Sequence, residues 1–337
     1  MTQEKSNGML LEVRDLKTYF TVDETEIPAV DGTSFSVRRG QIVAIVGESG
    51  CGKSVTAYSV LRLIQKPGRI VSGQIVLHPK DQAPIDITSL DEKSETLFHV
   101  RGGLVSMIFQ EPMTALSPVH TIGNQICEAI LLHQNVSKSE AENIAAEMLS
   151  KVGIPNGRQR LRQYPHEMSG GMRQRVVIAM ALVCNPELLI ADEPTTALDV
   201  TIQAQILQLI KRLREELDTS VLLITHDLGV VAQTADEVAV MYLGRIVEQA
   251  PIRPLMKNPR HPYTRGLLAS LPSLSSRHER LPSIRGSVPS LTNIPHGCPF
   301  HPRCPYFQPG RCDVGGPPEL KELSGGVKAA CLRAEEI

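Results

Sequence analysis

Gly47-Glu48-Ser49-Gly50-Cys51-Gly52-Lys53-Ser54 follows the run Gln41-Ile42-Val43-Ala44-Ile45-Val46 without a break. A continuous apolar run of strand length, ended by glycine, reads as a buried parallel strand. The eight residues match G-x-x-x-x-G-K-[ST], a loop whose glycines let backbone N–H groups turn inward around phosphate oxygens before a helix begins. In that setting Lys53 supplies a cation to the β- and γ-phosphates, and the Ser54 hydroxyl is a ligand for Mg2+. A glycine-rich turn with an exposed lysine is the alternative, and the preceding strand weighs against it.

Working outward, Leu188-Leu-Ile-Ala191 and Val221-Leu-Leu-Ile224 repeat the apolar run, each ending at polar residues. Between them Thr201 to Leu217 has apolar residues at 202, 206, 209, 210 and 213, a helical spacing. Strand, polar turn and helix in repetition predict an α/β fold with a parallel sheet and a ligand at the carboxyl ends of its strands. The stretch from about Ser89 to Pro165 contains helical segments such as Glu140 to Val152 and shows no comparable buried strand, so it reads as a helical insertion.

The strand ends carry the remaining chemistry. Asp192 and Glu193 follow a buried run, where an isolated charge is costly without a partner. Asp192 is expected to hold Mg2+, and Glu193 to face the γ-phosphate and polarise the attacking water. His226, after Ile224-Thr225, can reach the same face of a sheet, although a structural histidine would look the same. Gln110 ends the stretch Met107-Ile-Phe and could place an amide oxygen on Mg2+ or water, although a glutamine after a strand is usually only a turn residue. Ser169-Gly170-Gly171 opens a helix running towards Cys184, and two glycines at a helix N-terminus form a second anion cradle. If each cradle holds phosphate, two cradles beside one lysine-containing loop and one Asp-Glu pair imply a second chain.

Composition sets limits on this reading. The 337 residues exceed the usual single-domain size, so one large and one smaller domain are expected. Apolar residues make up 42% and charged residues 21%, which excludes a disordered or collagen-like chain. The balance of 35 Lys+Arg against 36 Asp+Glu offers no basic footprint for nucleic acid. The longest strongly apolar run, Val176 to Cys184, is too short to cross a bilayer, and no secretion signal opens the chain. A cytosolic chain is the expectation.

Proline density changes about fourfold near residue 251, with 10 of 24 prolines in residues 1–250 and 14 in the remaining 87. The tail should therefore be loop-rich and short of a core of its own. It holds Cys298-x5-Cys304-x7-Cys312-x18-Cys331. In a reducing compartment such a cluster suggests metal ligation as a staple, without the C-x-x-C pairs that zinc ribbons favour. An iron–sulfur cluster, zinc and unligated thiols all remain open on spacing alone.

Together these residues resemble the ATP-binding subunits of ABC transporters. The resemblance implies a P-loop ABC ATPase fold: residues 1–250 form the nucleotide-binding domain, with its helical subdomain at about 89–165, and residues 251–337 form a regulatory or docking domain with the four-cysteine site. It further implies that two such domains pack head to tail, each ATP lying between one P-loop and the other chain's Ser169-Gly170-Gly171 signature. Carried over by position, Gly47 to Ser54 is the Walker A loop, Gln110 the Q-loop, Asp192-Glu193 Walker B with the catalytic glutamate, Ala197-Leu-Asp199 the D-loop, His226 the switch histidine, and Phe20 the aromatic on adenine.

Phe109-Gln-Glu-Pro-Met-Thr-Ala-Leu-Ser-Pro118, His261-Pro-Tyr-Thr-Arg-Gly-Leu-Leu268 and Gly297-Cys-Pro-Phe-His-Pro-Arg-Cys-Pro-Tyr306 narrow the resemblance to the dipeptide, oligopeptide and nickel importers. That family implies ATP hydrolysis with Mg2+, a [4Fe-4S] cluster on Cys298, Cys304, Cys312 and Cys331, and assembly at the cytoplasmic face of the inner membrane. The implied partners are a second homologous ATPase, two permease subunits and a solute-binding protein. Import of nickel chelates or glutathione, export, and action on nucleic acid or ribosomes are the alternatives. The last usually needs two cassettes or a coiled-coil insertion, and neither is present in this sequence.

Overall fold

The computed structural model describes residues 8–111, 115–195, 199–271 and 283–337. The chain divides into two compact units, each built from separated stretches. One comprises Met1–Leu11, Val37–Gln41 and Leu77–Leu223; the other comprises Glu12–Ser36, Ile42–Val76 and Ile224–Ile337.

In chain order the strands are β1 (Met9–Val22), β2 (Thr25–Arg38), β3 (Ile42–Val46), β4 (Gly68–Leu77), β5 (Ile85–Asp86), β6 (Val105–Ile108), β7 (Leu188–Asp192), β8 (Ser220–Thr225), β9 (Glu237–Tyr242), β10 (Arg245–Pro251), β11 (Lys321–Glu322) and β12 (Lys328–Ala329). The helices are α1 (Lys53–Val60), α2 (Glu95–Val100), α3 (Ile122–His133), α4 (Lys138–Lys151), α5 (Gly157–Arg160), α6 (Gly170–Leu182), α7 (Val200–Leu217), α8 (Leu228–Thr234), α9 (Ile252–Lys257) and α10 (Pro262–Ala269). No helix among the described residues is long and apolar enough to cross a membrane.

The first unit carries the neighbouring strands β8, β7 and β6 together with α2 to α7. Every side chain of β7 is buried, as the continuous apolar run Leu188 to Ala191 requires, and Asp192 at its end is buried with them. β6 pairs parallel with β7, Val105 opposite Leu188 and Ile108 opposite Ala191. This corrects the expectation that residues 89–165 lack a buried strand. The strand is only four residues long and contains Ser106, too little for a periodic signal. Within the same stretch Ser137 caps α4: its hydroxyl accepts from the Glu140 N–H while the Glu140 carboxylate accepts from the Ser137 N–H, a reciprocal cap.

In the second unit β3 pairs parallel with β9, Val43 opposite Glu237 and Val46 opposite Val240, and β9 pairs antiparallel with β10. β12 then adds to β10, Glu248 opposite Ala329, with the Ala330 N–H donating to Val247 O at 2.8 Å. The proline-rich tail thus borrows a sheet edge to satisfy its backbone, and no described helix beyond residue 251 exceeds eight residues.

Candidate functional site

All five side chains of β3 are buried, and its exit at Gly47 delivers the loop to the end of the strand. Two glycines there have no substitute. A Cβ on Gly47 would lie 2.2 Å from Met241 O, and one on Gly52, whose φ is +100°, would lie 2.2 Å from Ala29 O. The loop is further closed by the Gly244 N–H, which donates to Cys51 O at 2.9 Å. Cys51 fills a buried position, and burial pushes its thiol pKa up, so it stays neutral.

Lys53 begins α1 and is 5% exposed. Its Nζ donates to Gly47 O at 2.9 Å and Glu48 O at 3.0 Å, so the ammonium is folded back over the loop that carries it. A buried cation in a glycine-rich loop that opens a helix is the kind of donor phosphate chemistry needs, so the residues fit a bound nucleotide phosphate. Ser54, half-buried, is the next residue of α1, and Ser49 and Gly50 complete the exposed tip of the loop.

Glu48 is held through both its backbone and its side chain. Its N–H donates to the Tyr263 hydroxyl at 2.9 Å, and its two carboxylate oxygens accept from Arg303 at 2.7 and 2.9 Å. Both partners come from the tail stretches His261–Leu268 and Gly297–Tyr306, but nothing in the sequence pairs either with the loop. Phe20 and Tyr19 are both half-buried on β1. Tyr19 donates to Asp31 Oδ1 at 2.8 Å, and burial with that hydrogen bond pushes its pKa to about 12. Phe20 lies against Gly68, where a Cβ would come within 2.6 Å of its ring. His226 is exposed at the end of β8, and the following Asp227 caps α8 by accepting from the Gly229 and Val230 N–H groups.

The first unit brings Gln110 and Glu193 together. The register that sets Ile108 opposite Ala191 places the two residues side by side past the strand ends, and Gln110 Nε2 donates to Glu193 Oε2 at 3.5 Å. Asp192 ends β7 fully buried, and Glu193 turns out of the strand with φ +47°, a left-handed conformation uncommon for a side-chain-bearing residue. Ser169 caps α6, its hydroxyl accepting from the Met172 N–H at 3.4 Å, so Gly170 and Gly171 occupy the first turn, where N–H groups lack helical acceptors. Gln174, 1% exposed, donates to Pro194 O at 2.6 Å and ties that helix to the turn after Glu193. The sequence reading missed this link. Asp199 caps α7 by accepting from the Ile202 N–H at 2.9 Å, while Ala197 and Leu198, like Pro112 to Thr114, lie outside the described residues.

The cysteine tail needs a correction. Cys298, Cys304, Cys312 and Cys331 do gather around one cavity, with Phe300 and His301 in its wall, but its volume is about 20 Å3, roughly the room of one water. All four are free, and burial pushes the Cys298 thiol to about 12, so it is protonated at neutral pH. Among the described residues no group of three or more His, Cys, Asp or Glu is placed to hold a metal ion. The expected [4Fe-4S] cluster, and the zinc alternative, are therefore not supported. The tail is stapled instead by β12 on β10 and by Phe300, 1% exposed, whose ring centroid lies 5.4 Å from those of both Tyr242 and Tyr263.

His261, 1% exposed, packs against the same cluster, and its Nδ1 accepts from the Tyr263 N–H at 3.1 Å. Burial holds its pKa at about 3, below the 6.5 of an exposed imidazole. The unfolded chain therefore binds a proton below pH 6.5 that the folded chain refuses until about pH 3, and stability falls with acidification by about 1.4 kcal/mol per pH unit in that window. Glu248, whose pKa burial raises, has the opposite sign. His261→Asn, which keeps an acceptor for the cap, should therefore show a shallower loss of Tm between pH 6.5 and 4 than the wild type. Parallel profiles would refute this.

The family model for the ABC transporter matches residues 30–196, and the model for the oligopeptide/dipeptide transporter C-terminal region matches residues 247–312. The chain is 52% identical to the oligopeptide transport ATP-binding protein AppD of Bacillus subtilis (strain 168), covering 97% of this chain and 98% of that protein. It is 53% identical to the probable peptide ABC transporter ATP-binding protein y4tR of Sinorhizobium fredii, covering 100% of this chain and 98% of that protein. Among solved structures it is similar to the dimeric ATP-binding cassette MJ0796 in a post-hydrolysis state bound to ADP and Pi, with a TM-score of 0.63 and 26% identity, over 72% of this chain and 99% of that one.

Proposed function

Because the chain belongs to the ATP-binding proteins of the ABC transporter family, we propose that it hydrolyses ATP to drive uptake of di- and oligopeptides through a separate membrane permease. The observation that carries this reading is the closed phosphate loop, with Lys53 buried over its own carbonyls, in a chain whose tail matches the oligopeptide/dipeptide transporter C-terminal region.

In this reading residues 1–250 form the nucleotide-binding domain, with its helical subdomain at about 89–165, and residues 251–337 a regulatory or docking domain. N–H groups of the Gly47 to Ser54 loop other than that of Glu48, which Tyr263 holds, bind the β- and γ-phosphates, and the Lys53 ammonium pairs with the same oxygens. Ser54, Asp192 and Gln110 are the residues that would hold Mg2+, which supplies neutralisation of the phosphate charge when bound. Glu193 accepts a hydrogen bond from the attacking water and orients it, and Gln110, already bonded to Glu193, holds that carboxylate in place. His226 donates to the γ-phosphate, and Phe20 stacks on adenine.

Ser169, Gly170 and Gly171 serve the nucleotide of a second chain, with Asp199 beside that junction. A homologous ATPase as that second chain, two permease subunits and a solute-binding protein complete the assembly, held at the cytoplasmic face of the membrane by the permease. The test is uptake: cells lacking this chain should lose import of labelled di- and oligopeptides and keep import of nickel and glutathione. Peptide uptake at the parental rate would refute the peptide assignment, and loss of nickel or glutathione uptake alone would replace it.

A further inference from the structure

Arg303 lies in the turn His301–Arg303 of the tail, and its side chain is only 4% exposed. Its guanidinium spends both terminal nitrogens on Glu48, at 2.7 and 2.9 Å, while Nε donates to Arg285 O at 3.1 Å. The guanidinium carbon also stands 5.9 Å from the ring centroids of Tyr242 and Phe300. This is a planar, bidentate and stacked arrangement, which a lysine cannot reproduce. The pair spans 255 residues of sequence and joins the tail to the second residue of the phosphate loop.

A carboxylate inside an anion cradle is a liability, because its charge opposes the phosphates the loop is built to receive. Glu48 escapes that conflict only while its carboxylate is turned away and neutralised. Its backbone is also held: the N–H by Tyr263 and the carbonyl by Lys53. Arg303 and Tyr263, two of the anchors on Glu48, thus come from beyond residue 251, and a loop ordered in advance costs less to order when ligand arrives.

We propose that Arg303 is a positioning residue for nucleotide binding: it clamps and neutralises Glu48, so that the tail sets the shape and the charge of the phosphate loop. The inference rests on the reading of that loop as the nucleotide site. It gives the tail a part in the ATPase cycle that does not depend on any metal.

The test measures MgATP affinity of the purified full chain, with the fold followed by circular dichroism and Tm. Arg303→Met, which keeps the contacts with both rings, should weaken MgATP binding about tenfold, and Arg303→Lys should fall between it and wild type. Adding Glu48→Gln to Arg303→Met removes the unmasked charge and should restore affinity to within about threefold of wild type. In the assembled transporter the Arg303→Met defect should appear in KM, with kcat largely retained.

Arg303→Met binding MgATP as wild type does would overturn the clamp, and so would a double variant no better than the single one. Should Arg303→Met fail to fold, Arg303→Lys with and without Glu48→Gln decides by the same criterion. Lys53→Ala is the control: if wild type and Lys53→Ala bind MgATP alike, the nucleotide reading of the loop has failed, and the clamp with it.

Discussion

Glu193→Gln is expected to lower ATP turnover roughly 100- to 10,000-fold while leaving MgATP affinity near its wild-type value. The amide keeps the size of the side chain and can still pair with Gln110, so the left-handed turn at φ +47° and the end of β7 should persist. What disappears is the carboxylate that we propose orients and deprotonates water. Lys53, Ser54 and Asp192 are untouched, so binding and hydrolysis should separate. Phosphate release by the assembled transporter, set beside equilibrium nucleotide binding, reads the two directly. Hydrolysis at the wild-type rate would show that another group is the base.

Lys53→Ala should produce the opposite division, lowering MgATP affinity on the order of 100-fold. Lys53 donates to two loop carbonyls, and phosphate oxygens are stronger acceptors for the same ammonium. Removing it deletes the charge that favours phosphate and frees Gly47 O and Glu48 O, loosening the loop that it closes. Isothermal titration with MgATP checks this, and unchanged affinity would place the phosphates elsewhere. A drop in kcat alone, with normal binding, would also contradict it.

The cysteine tail shows how spacing can mislead. Cys298, Cys304, Cys312 and Cys331 are brought together, as a ligand set would be, yet they line a cavity of about 20 Å3 as free thiols. A short, proline-dense segment can be tied to the rest of the fold without a metal. β12 pairing with β10 and the packing of Phe300 on Tyr242 and Tyr263 do that work, and neither leaves a local mark in the sequence.

The sequence by itself determined the elements that depend on near neighbours. Continuous apolar runs specified β3, β7 and β8, helical spacing specified α7 and most of α4, and the glycine-lysine-serine loop followed from the turn that its residues permit. The Asp192-Glu193 pair was legible because two carboxylates after a buried run demand a partner. Only the tertiary structure decided that β6 lies within the expected helical stretch, that Gln174 reaches Pro194 O, and that Arg303 holds Glu48. The physical reason is common to all three. A four-residue strand acquires its identity from the partner it pairs with, and a buried side chain's bond depends on which distant backbone or charge the fold brings to it. Periodicity reports which face of an element is buried, but the partner across 255 residues is set only when the sheet edge and the aromatic cluster bring the tail against the loop.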